Sequence, residues 1–401
     1  MTEDKSEGAL SGTRVIDLTR VLAGPFCTMN LGDMGAEIIK IERPGSGDDT
    51  RGWGPPFAGT EAAYFLGVNR NKRSVTLDLK DPRGLDILKK MITQADVLIE
   101  NFKAGTLDRW GITAEWLEQN APQVVLCQIT GYGDRGPKGG MPGYDFLLQA
   151  ESGLMSITGE VDGGSMKLGV AIVDVCTGMY AAMCITAALN ARTRTGRGQV
   201  VSVTLFDTSL SVLVNVASNY LISTKVPGRF GNGHPNIVPY REFPCGEGEI
   251  ALAVGNDGQF AQLAKAVDHP EWADDERFKI NANRVRNRDT IDGLIQEALA
   301  AKSADDWITQ FVGLGIPCSM VNTVEEALES EQAKANGMVA EIDHPTAGLI
   351  RMLGIPYQFS DTKEAIQSAP PVLGADTDDV LKNQIGLTEE EVSALRSDGV
   401  I

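Results

Sequence analysis

The chain is poor in histidine, cysteine and positive charge. Its three histidines, His234, His269 and His344, stand far apart without ligand spacing. That pattern argues against a structural zinc site and against a histidine-based triad. The six cysteines (Cys27, Cys127, Cys176, Cys184, Cys245 and Cys318) are scattered and form no CxxC pair, so free thiols in a reducing compartment are expected. Lys and Arg number 36 against 54 Asp and Glu, a formal net charge of −18. An excess of acid disfavours nucleic acid, which requires a basic face to neutralise phosphates. No long uncharged apolar run and no secretory n-region, h-region and cleavage site are found. Met1 to Leu10 reads as a short polar tail, and a cytoplasmic protein with no membrane partner is expected.

What is present is ordinary for a soluble enzyme: 42% hydrophobic and 22% charged residues over 401 positions, more than one core usually organises. Val15-Ile-Asp-Leu18, a helical pattern from Ala23 to Gly35, and Ala36 to Glu42 make a βαβ unit. Ser74 to Leu79, Val97 to Glu100 and Val124 to Ile129 continue the strands, with helices over Arg83 to Ala95 and Ala114 to Asn120. An α/β domain with a largely parallel sheet follows. Asp174 to Ala191 reads as a helix apolar nearly all round, hence buried. The turn Thr195-Gly-Arg-Gly-Gln199 leads to a strand from Val200 to Leu205, and a helix from Leu210 to Ser218 leads away. From Pro227 the texture changes to a loop, a hairpin closed by Glu249 to Val254, and charged helices. The expected division is 1–205 with 330–401 as the large domain, 206–226 as a linker helix, and 227–325 as the small domain.

Glu42 ends the second strand where a dinucleotide-binding fold places its ribose-binding acid. However, Gly24, Gly32 and Gly35 do not form G-x-G-x-x-G, and Pro25 occupies the turn, so a nicotinamide oxidoreductase is disfavoured. Thr195 to Gln199 is not a P-loop either, because no Gly-Lys-Ser/Thr follows. Arg43, Lys72, Arg73, Lys80, Lys103 and Arg109 gather near the ends of the early elements, a set able to hold phosphates through charge-assisted hydrogen bonds. Asp174 is a lone acid inside Val170-Ala-Ile-Val-Asp-Val-Cys-Thr-Gly178. One reading is a helix N-cap. The other is a nucleophile, kept ionised by the helix N-terminus and able to attack a thioester carbonyl.

The chain resembles the class III CoA-transferases, the family of formyl-CoA:oxalate, carnitine and benzylsuccinate CoA-transferases. The matching runs lie in the family's order over nearly the whole chain. They are Val15-Ile-Asp-Leu18 with Leu22-Ala-Gly-Pro25, Gly35 to Gly45, Asn71-Lys-Arg-Ser74, Asp96 to Phe102, Gly131-Tyr132, Thr195 to Gln199, Gly315-Ile-Pro-Cys318 and Pro371-Val-Leu-Gly374. The resemblance implies a Rossmann-like large domain built from N- and C-terminal segments, a smaller α+β domain between them, and an interlocked homodimer. It puts Asp174 on the nucleophilic aspartate and Tyr144 beside the active site. Val21, Ala23, Arg43, Leu77, Lys80, Asn101, Phe102, Lys103 and Arg109 fall on CoA-contacting positions. Gly231-Asn-Gly-His-Pro235 lies where some members carry a glycine-rich shielding loop, so Gly231 and Gly233 are expected to offer N–H groups to oxyanions. Coenzyme A and acyl-CoA enter as substrates, with no permanently bound cofactor and no metal.

Departures narrow the substrate. Leu22 replaces the glutamine of formyl-CoA transferases, Pro142 replaces a family lysine, and the tetraglycine loop is absent. Oxalate is thereby disfavoured, and the Gly-His-Pro-Asn-Ile-Val-Pro-Tyr240 run resembles members that handle larger dicarboxylates. Arg51, Arg70, His234 and Arg241 are candidates for holding the distal carboxylate. The α-methylacyl-CoA racemases of the family use a histidine in Gly-His-Asp, where this chain has Gly143-Tyr-Asp145; without that base, α-proton removal is disfavoured. A racemase or other CoA-ester enzyme, an oxidoreductase and a silent CoA-binding subunit stay open as alternatives.

Overall fold

The computed structural model describes residues 7–401; the first six residues of the expected polar tail lie outside the described residues. Six strands form one parallel sheet: β1 (Arg14–Asp17), β2 (Glu37–Glu42), β3 (Lys72–Thr76), β4 (Val97–Glu100), β5 (Val125–Thr130) and β6 (Val200–Thr204). Their spatial order is 3-2-1-4-5-6, the doubly wound order in which the chain reverses direction beside β1. β1 is the hinge of this arrangement, since Val15 pairs with Ile38 on one side and with Val97 on the other. A sheet covered on both faces needs continuous apolar strands rather than alternation, and Val97, Leu98 and Ile99 are all fully buried.

The chain folds into two compact units. The first comprises residues 7–152, Gly169–Val212 and Glu331–Ile401; the second comprises Gly153–Leu168 and Leu213–Ser330. The sequence texture puts 153–168 with the large domain. That segment instead joins the second unit, where the Arg229 guanidinium donates to the carbonyls of Ser156, Glu160 and Gly163. No local pattern encodes such a clasp. The expected helix from Leu210 to Ser218 is also different: two helices, Leu205–Ser211 and Val214–Ser223, replace it, and the units divide between them.

Two corrections concern the long helix, Ile172–Thr195. By length and composition it is apolar enough to cross a membrane, where the sequence suggests no such run. It packs against Ala23–Asp33 and the sheet instead. It is also not buried all round: Val173, Thr177, Ala181 and Ile185 face the core, whereas Met179 and Met183 are more than half exposed. Gly178 permits the close approach, because a Cβ there would stand 2.5 Å from the Ala23 carbonyl oxygen. The helix ends at Gly196, whose φ of +69° suits the left-handed cap.

The second unit has its own core. A three-stranded antiparallel sheet (Cys318–Met320, Glu249–Ala253, Tyr240–Pro244) packs with helices Asp257–Ala266, Arg288–Leu299 and Ala304–Gly313. Phe243, Phe260, Phe278 and Phe311 fill it.

Candidate active site

In a doubly wound sheet, ligands bind beyond the carboxyl ends of the strands where the order reverses. That place lies after β1 and β4, the segments that carry Arg20–Ala23 and Asn101–Lys103. A cavity of about 200 Å³ opens there, and its lining includes Val21, Ala23, Asn101, Phe102, Lys103, Tyr144 and Asp174. The residues come from the ends of different strands and from the first turn of the long helix, so distant stretches of sequence meet at one point. A neighbouring cavity of about 210 Å³ includes Arg43, Leu77 and Lys80 in its wall. Arg20 and Phe102 line both cavities; the Arg20 guanidinium lies 5.5 Å from the Phe102 ring centre, and Trp110 meets that ring edge-on at 5.2 Å.

The loop after β1 is held in an uncommon conformation. Val21 has φ of +72°, an outlier for a β-branched residue. Asn101 and Arg20 pair reciprocally, with Arg20 N donating to Asn101 Oδ1 at 3.0 Å and Asn101 Nδ2 donating to Arg20 O at 2.7 Å. Val21 N donates to Asp48 Oδ1 at 3.3 Å. Beneath lies a buried ion network. Lys40 Nζ donates to Asp48 Oδ2 at 2.9 Å and to Thr19 O at 2.7 Å, while Lys72 Nζ reaches Pro25 O and Asn69 Oδ1. Burial alone would raise the Asp48 carboxyl, but Lys40 and the Thr50 hydrogen bonds bring it down to about 2. Buried charges survive when each has partners of this kind.

Asp174 is not the N-cap of its helix. Ala171 occupies that position without a side-chain bond, and Asp174 stands in the first turn. The two N–H groups of Val173 and Asp174 donate to Asp145 Oδ2, at 2.8 and 3.3 Å. The expectation that the helix end holds the carboxylate ionised is also overturned. Burial and then the charge of Asp145 push Asp174 up to about 7. Tyr64 is raised by burial and next by Asp174, which places that phenol in the same electrostatic neighbourhood. A carboxylate with raised proton affinity is the better nucleophile when ionised, and acylation relieves it of its charge.

The remaining candidates sort by what their side chains touch. Lys72 is buried in the ion network, and Arg73 is bound to Glu37, Asp376 and Asp379; both are internal rather than phosphate-facing. Arg43, Lys80, Lys103 and Arg109 are exposed. Arg109 lines neither cavity described above and donates to Thr106 Oγ1 at 2.8 Å. Arg51 is excluded as an acceptor ligand, because it makes a two-pronged pair with Glu42 at 2.7 and 2.8 Å. Arg70 does the same with Asp33 at 2.7 and 2.8 Å. In both cases the neighbouring acid, distant in sequence or hidden by the fold, claims the guanidinium.

In the second unit, Arg241 pairs with its neighbour Glu242 at 3.3 Å and lies 5.9 Å from the Phe243 ring centre, with its side chain 41% exposed. His234 Nδ1 accepts from Asn236 N at 3.0 Å, and the ring sits 5.3 Å from that of Tyr240. Gly231 has φ of +56°. The Gly233 N–H donates to Phe230 O at 2.8 Å, so in this conformation it is engaged within its own turn and not offered to an oxyanion. Arg20, Asp145 and Tyr64 were not singled out from sequence. Arg20 was legible in principle, as a cation directly after the first strand; Asp145 stands in the Gly143-Tyr-Asp145 run with no sign there of its partner, and Tyr64 carries no local signal.

Comparison with known proteins identifies the family. The chain is 43% identical over 392 residues to succinyl-CoA:glutarate CoA-transferase of Mus musculus, covering 98% of this chain and 90% of that one. It is 41% identical over 371 residues to succinate–glutarate CoA-transferase of Agrobacterium fabrum, covering 91% and 93%. The crystal structure of a CAIB/BAIF family protein from Brucella suis superposes with a TM-score of 0.81 at 41% identity, over 93% of this chain and 98% of that one. The profile of CoA-transferase family III matches residues 10–377, so the chain belongs to CoA-transferase family III, the class III CoA-transferases.

Proposed function

We propose that this enzyme moves CoA between an acyl-CoA donor and a dicarboxylic acid through an aspartyl-acyl anhydride on Asp174. The observation that carries the reading is the single cavity in which Asp174 shares walls with Val21, Ala23, Asn101, Phe102 and Lys103. A thioester lying along that loop presents its carbonyl to the Asp174 carboxylate. Attack expels CoA thiolate and leaves a mixed anhydride; the acceptor carboxylate attacks the Asp174 carbonyl of that anhydride and the donor acid leaves, and thiolate attack on the acceptor's acyl carbonyl gives the new thioester and frees the Asp174 carboxylate. Thioester free energy is conserved, so coenzyme A and acyl-CoA serve as substrates and the cycle uses no resident cofactor. The exposed cations Arg43 and Lys80 suit the phosphates of the nucleotide end.

The dicarboxylate preference rests on the relatives named for succinyl-CoA and glutarate and on the sequence departures from oxalate enzymes. Arg241 and His234 remain as candidates for the distal carboxylate. An interlocked homodimer in the cytoplasm belongs to the same reading; the exposed Met179 and Met183 on the long helix favour a covering partner copy. The racemase alternative is disfavoured because Tyr144 stands in the cavity where a histidine base is needed, and no histidine lines it. Incubation with succinyl-CoA and a panel of monocarboxylic and dicarboxylic acids tests the proposal. New CoA esters of dicarboxylates are expected; turnover limited to α-proton exchange, or no transfer to any acid, would sink it.

A further inference from the structure

The transfer cycle as written uses one carboxylate, yet the structure pairs it with a second. Asp145 opens the helix Asp145–Glu151 and is 9% exposed. Its Oδ2 takes the Val173 and Asp174 N–H groups, and its Oδ1 accepts from Gln149 Nε2 at 2.6 Å. Asp145 therefore caps the long helix from a different helix, through the amide of the nucleophile itself. A neutral Asn or Ser side chain caps such amides as well as Asp does. The charge is thus an addition that capping does not require, and it repels an ionised Asp174 in a partly dry site.

We propose that Asp145 is a positioning residue of the transfer reaction: it fixes Asp174 through the helix cap, and its charge makes the free carboxylate of Asp174, rather than the acylated one, the unfavourable state. The inference rests on the CoA-transferase reading above. In the acylation step, an Asp174 Oδ bonds to the thioester carbonyl carbon, the C–S bond breaks, and its electron pair leaves on sulfur as thiolate. Asp174 passes from −1 to a neutral anhydride, so the repulsion from Asp145 is removed as the bond forms. The negative charge travels to CoA and away from the pair. Attack by the acceptor carboxylate on the Asp174 carbonyl carbon releases the donor acid and leaves Asp174 joined to the acceptor acyl group; thiolate attack on that acyl carbonyl then forms the new thioester, returns the charge to Asp174 and restores the repulsion. Tyr64, which senses Asp174, Asp145 and Asp48, and Cys176, which senses Asp145, face the pair. Arg20, Asp49, Lys103 and Tyr144 line the same cavity as Asp174, while burial and Asp145 are the causes acting on Asp174 itself.

The test compares Asp145→Asn, which keeps an acceptor for the two N–H groups, with Asp145→Ala, which does not. Three readouts are taken: the pH profile of kcat/KM with a CoA ester, hydroxylamine-sensitive acyl-enzyme formation, and the titration of the Asp174 carboxyl by ¹³C NMR, assigned by its loss in Asp174→Asn. In Asp145→Asn the Asp174 midpoint and the acid limb are expected to fall together by about one pH unit or more. Acyl-enzyme formation above the limb is expected to drop about tenfold, with KM for the ester little changed. Asp145→Ala is expected to shift the midpoint likewise and to lower thermal stability in addition. An unmoved midpoint and limb in Asp145→Asn would reduce Asp145 to a structural cap and overturn the inference. If the wild-type enzyme forms no acyl-enzyme from any ester, the reaction assignment and the catalytic part of the inference fail together. The substrate-free titration then reports separately whether Asp145 acts on Asp174.

Discussion

Arg51→Ala separates a structural arginine from a substrate ligand. Arg51 donates through Nε and Nη2 to both oxygens of Glu42, approaches Glu61 at 3.4 Å, and donates to Pro371 O at 3.1 Å. Its guanidinium carbon lies 3.7 Å from the Phe65 ring centre. The side chains of Arg51, Glu42 and Glu61 are 9%, 1% and 9% exposed. Removing one partner of a buried pair costs about 3–5 kcal/mol, because the other charge is left without compensation. Glu42 keeps donors from Ser74 Oγ and Asp48 N, so the lower end of that range is expected. Burial by itself would raise the Glu42 carboxyl, but Arg51 and Lys40 hold it below its ordinary value. A folded-state value below the unfolded one stabilises the protein above the unfolded pKa and is lost as pH falls through the folded value. The gap between wild type and Arg51→Ala should therefore be full at pH 7 and shrink as Glu42 protonates below its ordinary value of 4.5. Urea unfolding at a series of pH values measures it, alongside kcat/KM for succinate and a matched monocarboxylate. A variant of unchanged stability that has selectively lost dicarboxylate preference would refute the reasoning.

Asp174→Asn should abolish transfer while CoA still binds, as read by isothermal titration. The folded Asp174 value of about 7 lies above its ordinary 3.8, so the wild type should lose stability as pH rises between those values, by roughly 4 kcal/mol at 1.36 kcal/mol per unit. Asp174→Asn should escape that loss, and equal pH dependence of unfolding in both proteins would contradict it. Arg43→Ala and Lys80→Ala should weaken CoA binding more than dephospho-CoA binding; equal losses would mark both as solvated surface. Arg241→Ala or His234→Ala should lower the preference for dicarboxylates, by roughly 2–5 kcal/mol if the pair is buried in the complex, and unchanged preference in both would remove them as acceptor ligands.

The βαβ units, the small domain's texture, the short tight turn at Gly196 and the family were legible in the sequence, because each depends on local periodicity, local chemistry or a collinear set of runs. The strand segments Val97–Glu100 and Val125–Thr130 stand within a residue of their expected places, since apolar β-branched runs bounded by polar turns have little choice of structure. Asp174 also stood out, as a lone acid in an apolar run. Only the tertiary structure decided its surroundings. Asp145, 29 residues away in sequence, became its helix cap and its electrostatic partner, and burial raised its proton affinity where a bare helix terminus would lower it. The same reason removed Arg51 and Arg70 from the substrate: a guanidinium's role is set by which carboxylate reaches it first, and Glu42 is brought there by the end of β2 and Asp33 by the end of the helix Ala23–Asp33. Sequence fixes which charges exist and the segments that carry them. Their pairing and burial, and hence their chemistry, follow from the order in which parallel strands line up, with β4 beside β1 and the long helix crossing Ala23 at Gly178.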